Sequence, residues 1–154
     1  MTVPLEVAGS VAVVTGGANG IGKGIVRALL EADATVVIAD IEQDVMDTTV
    51  AALSASFPGR VSGILVDVSD ADSVESLADQ VFTVHGRCTL LYNNAGVGSG
   101  GGGRIWTHEP NDWRWCYGVN VFGTANGIMA FVPRMLASGE PGHVVNTSSG
   151  DGGF

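Results

Sequence analysis

The stretch Val11–Ala12–Val13–Val14–Thr15–Gly16–Gly17–Ala18–Asn19–Gly20–Ile21–Gly22 decides the fold. Val11 to Val14 is a short, unbroken apolar run rich in β-branched residues. It predicts a strand buried on both faces, the signature of a parallel sheet. The glycines follow at once and open a segment, Ile21 to Ala32, in which Ile25, Leu29 and Ala32 recur at helical spacing. In a strand–turn–helix unit these glycines have separate uses. Gly16 lets the chain turn sharply. Gly20 lets backbone approach a pyrophosphate with no Cβ between them. Gly22 allows the helix to pack closely on the strand. The N–H groups at the helix start then face the phosphate oxygens. The competing reading is an ordinary glycine-rich βα turn.

The pattern repeats outward. Further apolar runs of the same type are Thr35 to Ala39, Val61 to Val66, Leu90 to Tyr92 and His143 to Val145. Helical segments lie between them at Glu42 to Ser56 and at Asp70 to Val84. In the latter, Val74, Leu77, Ala78 and Val81 share a face, and Asp70 or Asp72 caps the start. A longer helix begins at Pro110, a favourable first-turn position, with Asp112 at its positive end. It runs towards Ala137, and Pro133 is expected to kink or break it. The order is βαβαβαβαβ. With right-handed crossovers this gives an α/β fold, a Rossmann-type doubly wound parallel sheet of about five strands. No repeat or linker divides residues 1–154, which read as one dinucleotide-binding domain.

Composition narrows the function. Hydrophobic residues make up 45% and charged residues 15% of the 154, a balance for a compact core. The net charge is −9 with only seven basic residues, so neither nucleic acid nor an anionic membrane is expected as a partner. No apolar run reaches the ~20 residues needed to span a bilayer. Met1 to Ser10 has no basic stretch followed by an apolar block, so it is not expected to act as a secretory signal. Cys88 and Cys116 form neither a disulfide framework nor a zinc pattern, so no metal is expected and the setting reads as cytoplasmic.

Two phosphate-binding readings compete for the first glycine cluster. Gly17-x-x-x-x-Gly22–Lys23 nearly matches the P-loop of nucleotide triphosphatases, but Gly24 stands where that loop needs Ser or Thr for Mg²⁺. Asp40 ends the second strand, 18 residues after Gly22. In a dinucleotide-binding unit this acid accepts hydrogen bonds from ribose hydroxyls. A 2′-phosphate about 4 Å away would be repelled by on the order of 4 kcal/mol at a near-surface dielectric. No basic residue beside Asp40 relieves this, and Asn19 rather than a cation precedes Gly20. The expected cofactor is therefore NAD, with NADP disfavoured. Gly16, Asn19, Gly20, Ile21, Gly22, Asp40 and Ile41 are its candidate ligands. An acid that merely begins the next loop is the alternative for Asp40.

Thr15-Gly16-x-x-x-Gly20-x-Gly22, Asp67–Val68, Asn93–Asn94–Ala95–Gly96, Asn120 and Asn146–Thr147–Ser148–Ser149 follow one another in this order. Together, from Val11 to Ser149, they resemble the short-chain dehydrogenase/reductase family. The resemblance implies an NAD-dependent oxidoreductase acting on a small-molecule alcohol or ketone, homo-oligomeric when complete. It implies that Asp67 and Val68 contact the adenine, and that Asn94, Ala95 and Gly96 line the nicotinamide ribose. It makes Asn120 the helix asparagine that helps hold a proton-relay water, and Ser149 the hydrogen-bond donor to the substrate oxygen.

The sequence departs from the family in one respect. The family's acid–base pair is a tyrosine followed four residues later by a lysine, beyond the serine. Here the only tyrosines are Tyr92 and Tyr117, and the only lysine is Lys23, in the glycine loop. His85, His108 and His143 have no identifiable partner and read as structural or solvated. The chain therefore reads as a fragment, the N-terminal part of a longer enzyme, and as inactive by itself. A non-catalytic dinucleotide-binding module is the rival reading. Gly150 to Phe154 reads as loop, and the fifth strand as an open apolar edge with Val144 and Val145 on opposite faces. Trp106, Trp113 and Trp115 read as packing anchors beside the glycine-rich 98–103 segment, with one of them a candidate to face substrate. Arg104 reads as a solvated surface cation. Cys116 reads as a small buried hydrophobe.

Overall fold

The computed structural model describes residues 6–98 and 103–149. The expectations placed on residues 99–102 and 150–154 lie outside them. Five strands, β1 (Val11–Thr15), β2 (Thr35–Asp40), β3 (Val61–Leu65), β4 (Leu90–Asn93) and β5 (His143–Asn146), form one sheet in the order β3-β2-β1-β4-β5. Every neighbouring pair is parallel, and Val13 is flanked by Val37 on one side and Leu91 on the other. Helices α1 (Gly20–Glu31), α2 (Gln43–Ser54), α3 (Ala71–His85), α4 (Pro110–Tyr117) and α5 (Gly123–Ser138), with a short 3-10 turn at Ile105–Thr107, connect them among the described residues.

The period of two in a strand sorts the core into two layers. Ala12, Val14, Val36, Ile38 and Leu90 point towards α1 and α2, meeting Val26, Leu29, Leu30, Met46 and Leu53. Val11, Val13, Val37, Ala39 and Leu91 point the other way, onto Val74, Leu77, Ala78 and Val81 of α3 and onto Ala130, Phe131 and Met135 of α5. All five residues of β1 are buried, as expected of a central parallel strand. The outer strands differ. β3 is partly or fully exposed along its length, and β5 likewise, because each pairs on one side only. Val144 packs on the α3/α5 layer, so the alternation expected for Val144 and Val145 is present.

Three expectations about helices are corrected. The buried face of α1 is Gly22, Val26, Leu29 and Leu30, while Ile25 is half-buried and Ala32 exposed. The helix starts earlier than the apolar spacing suggests, at Gly20 behind an Asn19 cap. Pro133 does not interrupt α5, which continues through it to Ser138. Pro133 is exposed, so the carbonyl it leaves without a donor faces water rather than core. The irregularity lies earlier. Gly118–Phe122 forms a π turn between α4 and α5, with the Gly123 N–H donating to the Gly118 carbonyl. The three tryptophans are not packing anchors: Trp106, Trp113 and Trp115 are 74%, 42% and 44% exposed.

α3 begins as the sequence suggests, with the Asp70 carboxylate accepting from the Asp72 N–H. It ends at Gly86 in the left-handed conformation. Arg134 of α5 ties this layer together by donating to Glu75 and Asp79 of α3, which hold its guanidinium further towards the charged form. No helix among the described residues is long and apolar enough to cross a membrane.

Candidate functional site

The sheet order reverses between β1 and β4, where open α/β sheets leave a crevice outside the carboxyl ends of their strands. All twelve residues that the sequence assigns to the cofactor line one cleft there, of about 790 Å³. That volume is in the range of small-molecule and cofactor sites.

The glycine loop is held from three sides. The Gly16 N–H donates to the Ala39 carbonyl at the end of β2. The Ala18 N–H donates to Asp40 Oδ2 at 2.9 Å, and the buried Thr49 hydroxyl of α2 donates to the Ala18 carbonyl at 2.9 Å. Asn19 Oδ1 accepts from the Gly20 N–H at 2.7 Å, capping α1. Gly20 takes φ +50°, and a Cβ there would enter open space in front of the helix start. Gly22 faces the opposite constraint. A Cβ there would overlap the Gly16 carbonyl and lie 2.7 Å from Asn94 Nδ2. The first glycine therefore clears the cleft, and the second lets α1 reach the end of β1.

Asp40 is 8% exposed. Besides Ala18, it accepts from the Glu42 N–H at 3.2 Å through Oδ1. A carboxylate has about four acceptor positions, so these two bonds fix its orientation and leave acceptor capacity towards the cleft. Asp40 thus begins the next loop and lines the cleft at once; the two readings of it are compatible. Asp67 Oδ1 accepts from both the N–H and the hydroxyl of Ser69, which shapes the turn after β3.

Asn94 joins three strand ends. Its backbone N–H donates to Thr15 Oγ1 at 3.0 Å, and its Nδ2 donates to the Thr15 carbonyl at 3.2 Å. Its Oδ1 accepts from the Thr147 hydroxyl at 3.2 Å. Thr15 Oγ1 also accepts from the Ala95 N–H. Asn93, buried beneath, donates to Asn146 Oδ1 at 2.9 Å. The two asparagines therefore set the spacing of β1, β4 and β5 at the cleft floor.

The two candidate catalytic residues stand outside the cleft lining. Asn120 lies in the π turn, and its amide pairs with the backbone of Val97: the Val97 N–H donates to Oδ1 at 2.8 Å, and Nδ2 donates to the Val97 carbonyl at 2.9 Å. Its side chain therefore holds the segment after Gly96. Ser149 follows β5, two residues beyond the cleft-lining Thr147. Among the described residues neither a tyrosine nor a lysine lines the cleft. Tyr117 borders a separate cavity of about 290 Å³ with His108 and the half-buried Cys116. Arg104 is exposed, as the sequence suggests, and its guanidinium lies over the exposed Trp106 ring.

Sequence reasoning missed Thr15 and Thr147 as organising hydroxyls, and Val97, Trp115 and Val119 as cleft walls. The threonines stand inside the quoted motifs. Trp115 and Val119 are four apart in a predicted helix, a spacing that places both on one face.

The family model for short chain dehydrogenase matches residues 10–154. C alpha-dehydrogenase of Sphingobium sp. (strain NBRC 103272 / SYK-6) is 42% identical over 145 residues, covering 94% of this chain and 46% of that protein. 1-deoxy-11-beta-hydroxypentalenate dehydrogenase of Streptomyces avermitilis is 37% identical over 140 residues, with 91% and 52% covered. Among solved structures, a short chain dehydrogenase/reductase from Burkholderia phymatum in complex with NAD superposes with a TM-score of 0.90 at 40% identity, covering 95% of this chain and 51% of that one. A metagenomic short-chain oxidoreductase in complex with NADP gives 0.85 at 36% identity, with 92% and 63% covered. The chain spans about half the length of the curated relatives it matches.

Proposed function

Because this chain belongs to the short-chain dehydrogenase family, we propose that it is the cofactor-binding part of an NAD(H)-dependent oxidoreductase acting on an alcohol or carbonyl group. The observation that carries the proposal is the cleft at the switch point, with backbone free of Cβ atoms at Gly20 and a fixed carboxylate at Asp40. The residues present fit a dinucleotide. Of the first-turn N–H groups of α1, Gly20 is capped by Asn19, while those of Ile21 and Gly22 lack intrahelical acceptors and suit a pyrophosphate. Asp40 accepts from the ribose hydroxyls, and Ile41, Asp67 and Val68 form the base end of the site. Similar structures hold NAD in one case and NADP in another. Asp40 argues for NAD here, since a 2′-phosphate would meet its charge.

The nicotinamide, when bound, supplies the hydride-transfer chemistry. This chain's own residues bind and position: Asn94, Ala95 and Gly96 steady the middle of the cleft, Asn120 holds Val97 in place, and Ser149 donates to the substrate oxygen. No residue of the chain fills the roles of the family's tyrosine and lysine, so the 154 residues alone turn over no substrate. The second reading, a non-catalytic dinucleotide-binding module, draws on the same absence of tyrosine and lysine from the cleft lining among the described residues. A cytoplasmic setting and assembly with further copies in the complete protein complete the proposal.

Titration of the purified chain with NAD and NADP tests it. NAD should bind saturably and at least about tenfold more tightly than NADP, and Asp40→Ser should narrow that ratio. NADP binding as tight as NAD would refute the preference. Alcohol-dependent NADH formation by the chain, with mock purifications blank, would refute the inactivity.

A further inference from the structure

Resting on the dinucleotide reading, we propose that Trp115 is a further cofactor-binding residue, the aromatic wall against which the purine end of the cofactor packs. Trp115 lies on α4 one turn before Val119, and both side chains line the cleft. The helical stretch from Trp115 to Gly123 is pinned over the exit of β3. A Cβ at Gly118 would touch Ser69 Cβ at 3.3 Å, and one at Gly123 would press on Val68. Trp115 therefore stands on the β2–β3 side of the switch point, the side on which Asp40 ends its strand. A dinucleotide laid across the glycine loop places one nucleoside there.

The environment suits a planar base. Ile41, 51% exposed, lines the same cleft from the end of β2. Trp115 is 44% exposed, and no ring stacks on it among the described residues. Trp113, two residues away, is engaged by His108 and Tyr117. An exposed indole in the wall of a cleft presents a π-face that a purine can cover without any particular hydrogen-bond pattern.

The test is a fluorescence titration of the 154-residue chain with NADH, and competition by ADP-ribose or nicotinamide mononucleotide, for wild type, Trp115→Ala, Trp115→Phe and Trp113→Ala. Trp115→Ala should weaken NADH and ADP-ribose about tenfold and leave nicotinamide mononucleotide unchanged. Trp115→Phe, which keeps a ring, should stay within about twofold of wild type, and Trp113→Ala should match wild type. Wild-type affinity for ADP-ribose in Trp115→Ala would overturn the role of Trp115 while leaving the dinucleotide reading standing. So would an equal loss in Trp113→Ala, which would mark a general loosening of α4. No saturable NADH binding by wild type would overturn both.

Discussion

Replacing Gly22 by alanine isolates the contact that joins the glycine loop to the rest of the cleft. The added Cβ would lie 2.7 Å from Asn94 Nδ2 and 2.8 Å from the Gly16 carbonyl carbon. Carbon atoms pack comfortably at roughly 3.5–4.0 Å, and the Cβ would also overlap the Gly16 carbonyl oxygen, so the start of α1 must retreat by more than about 1 Å. Neither neighbour can yield instead. The Gly16 N–H is tied to Ala39, and Asn94 is bound to Thr15 through its amide and to Thr147 through its Oδ1. Overpacking of this kind costs about 1–3 kcal/mol, and weakening an Asn94 hydrogen bond adds about 1 kcal/mol. An expected loss of about 3 kcal/mol corresponds to a Tm lower by about 6–12 °C in a domain of this size. Gly24 provides the contrast. It sits two residues further along the same helix, on the opposite face, exposed, with nothing within 4 Å of its would-be Cβ. Gly24→Ala should gain about 0.5–1 kcal/mol of helix stability and raise Tm by about 1–4 °C. Circular dichroism melts of the two variants and wild type give opposite shifts if the reasoning is sound. A Gly22→Ala melt within about 2 °C of wild type would refute it.

Two further perturbations follow from the same geometry. Asn120→Ala removes both hydrogen bonds to the Val97 backbone. It should cost about 1–2 kcal/mol in urea unfolding and speed hydrogen exchange at the Val97 amide, and unchanged protection there would count against the clamp. Cys88 is buried, and burial pushes its thiol up to about 12, whereas Cys116 is half-buried. Ellman's reagent at pH 8 should therefore titrate Cys116 alone in the native chain and both thiols after denaturation; two reactive native thiols would disprove this. The linkage has one sign: with the folded value raised, this contribution to stability is intact below about pH 9 and is lost as pH rises towards about 12. Cys88→Ala should flatten that alkaline loss.

The local pattern carried a large share of this fold. Five apolar runs separated by helical spacing were enough for a parallel doubly wound sheet, because burial on both faces leaves an uninterrupted β-branched signature in a central strand such as β1. The same signature misleads at the margins. Val61 to Val66 reads like β1, yet β3 is an edge strand and largely exposed, since position in a sheet is a property of pairing order and not of the run itself. The expected break at Pro133 and the anchoring role of the tryptophans fail similarly. Whether a helix tolerates a proline depends on which carbonyl faces water, and whether an indole is an anchor depends on what lies opposite it.

The glycine loop shows the division most clearly. Sequence alone determined that Gly16 to Gly22 joins a buried strand to a helix, and that Asp40 ends the next strand, because both follow from residue type and spacing along one segment of chain. Only the tertiary structure decided that Asp40 holds Ala18, that Thr49 holds the same turn from α2, that Asn94 ties Thr15 to Thr147, and that Trp115 stands at the wall of the cleft. These contacts join residues 22 to 79 positions apart. They come into being when the crossovers bring the carboxyl ends of the strands to one edge, and nothing in the spacing of either partner announces the other.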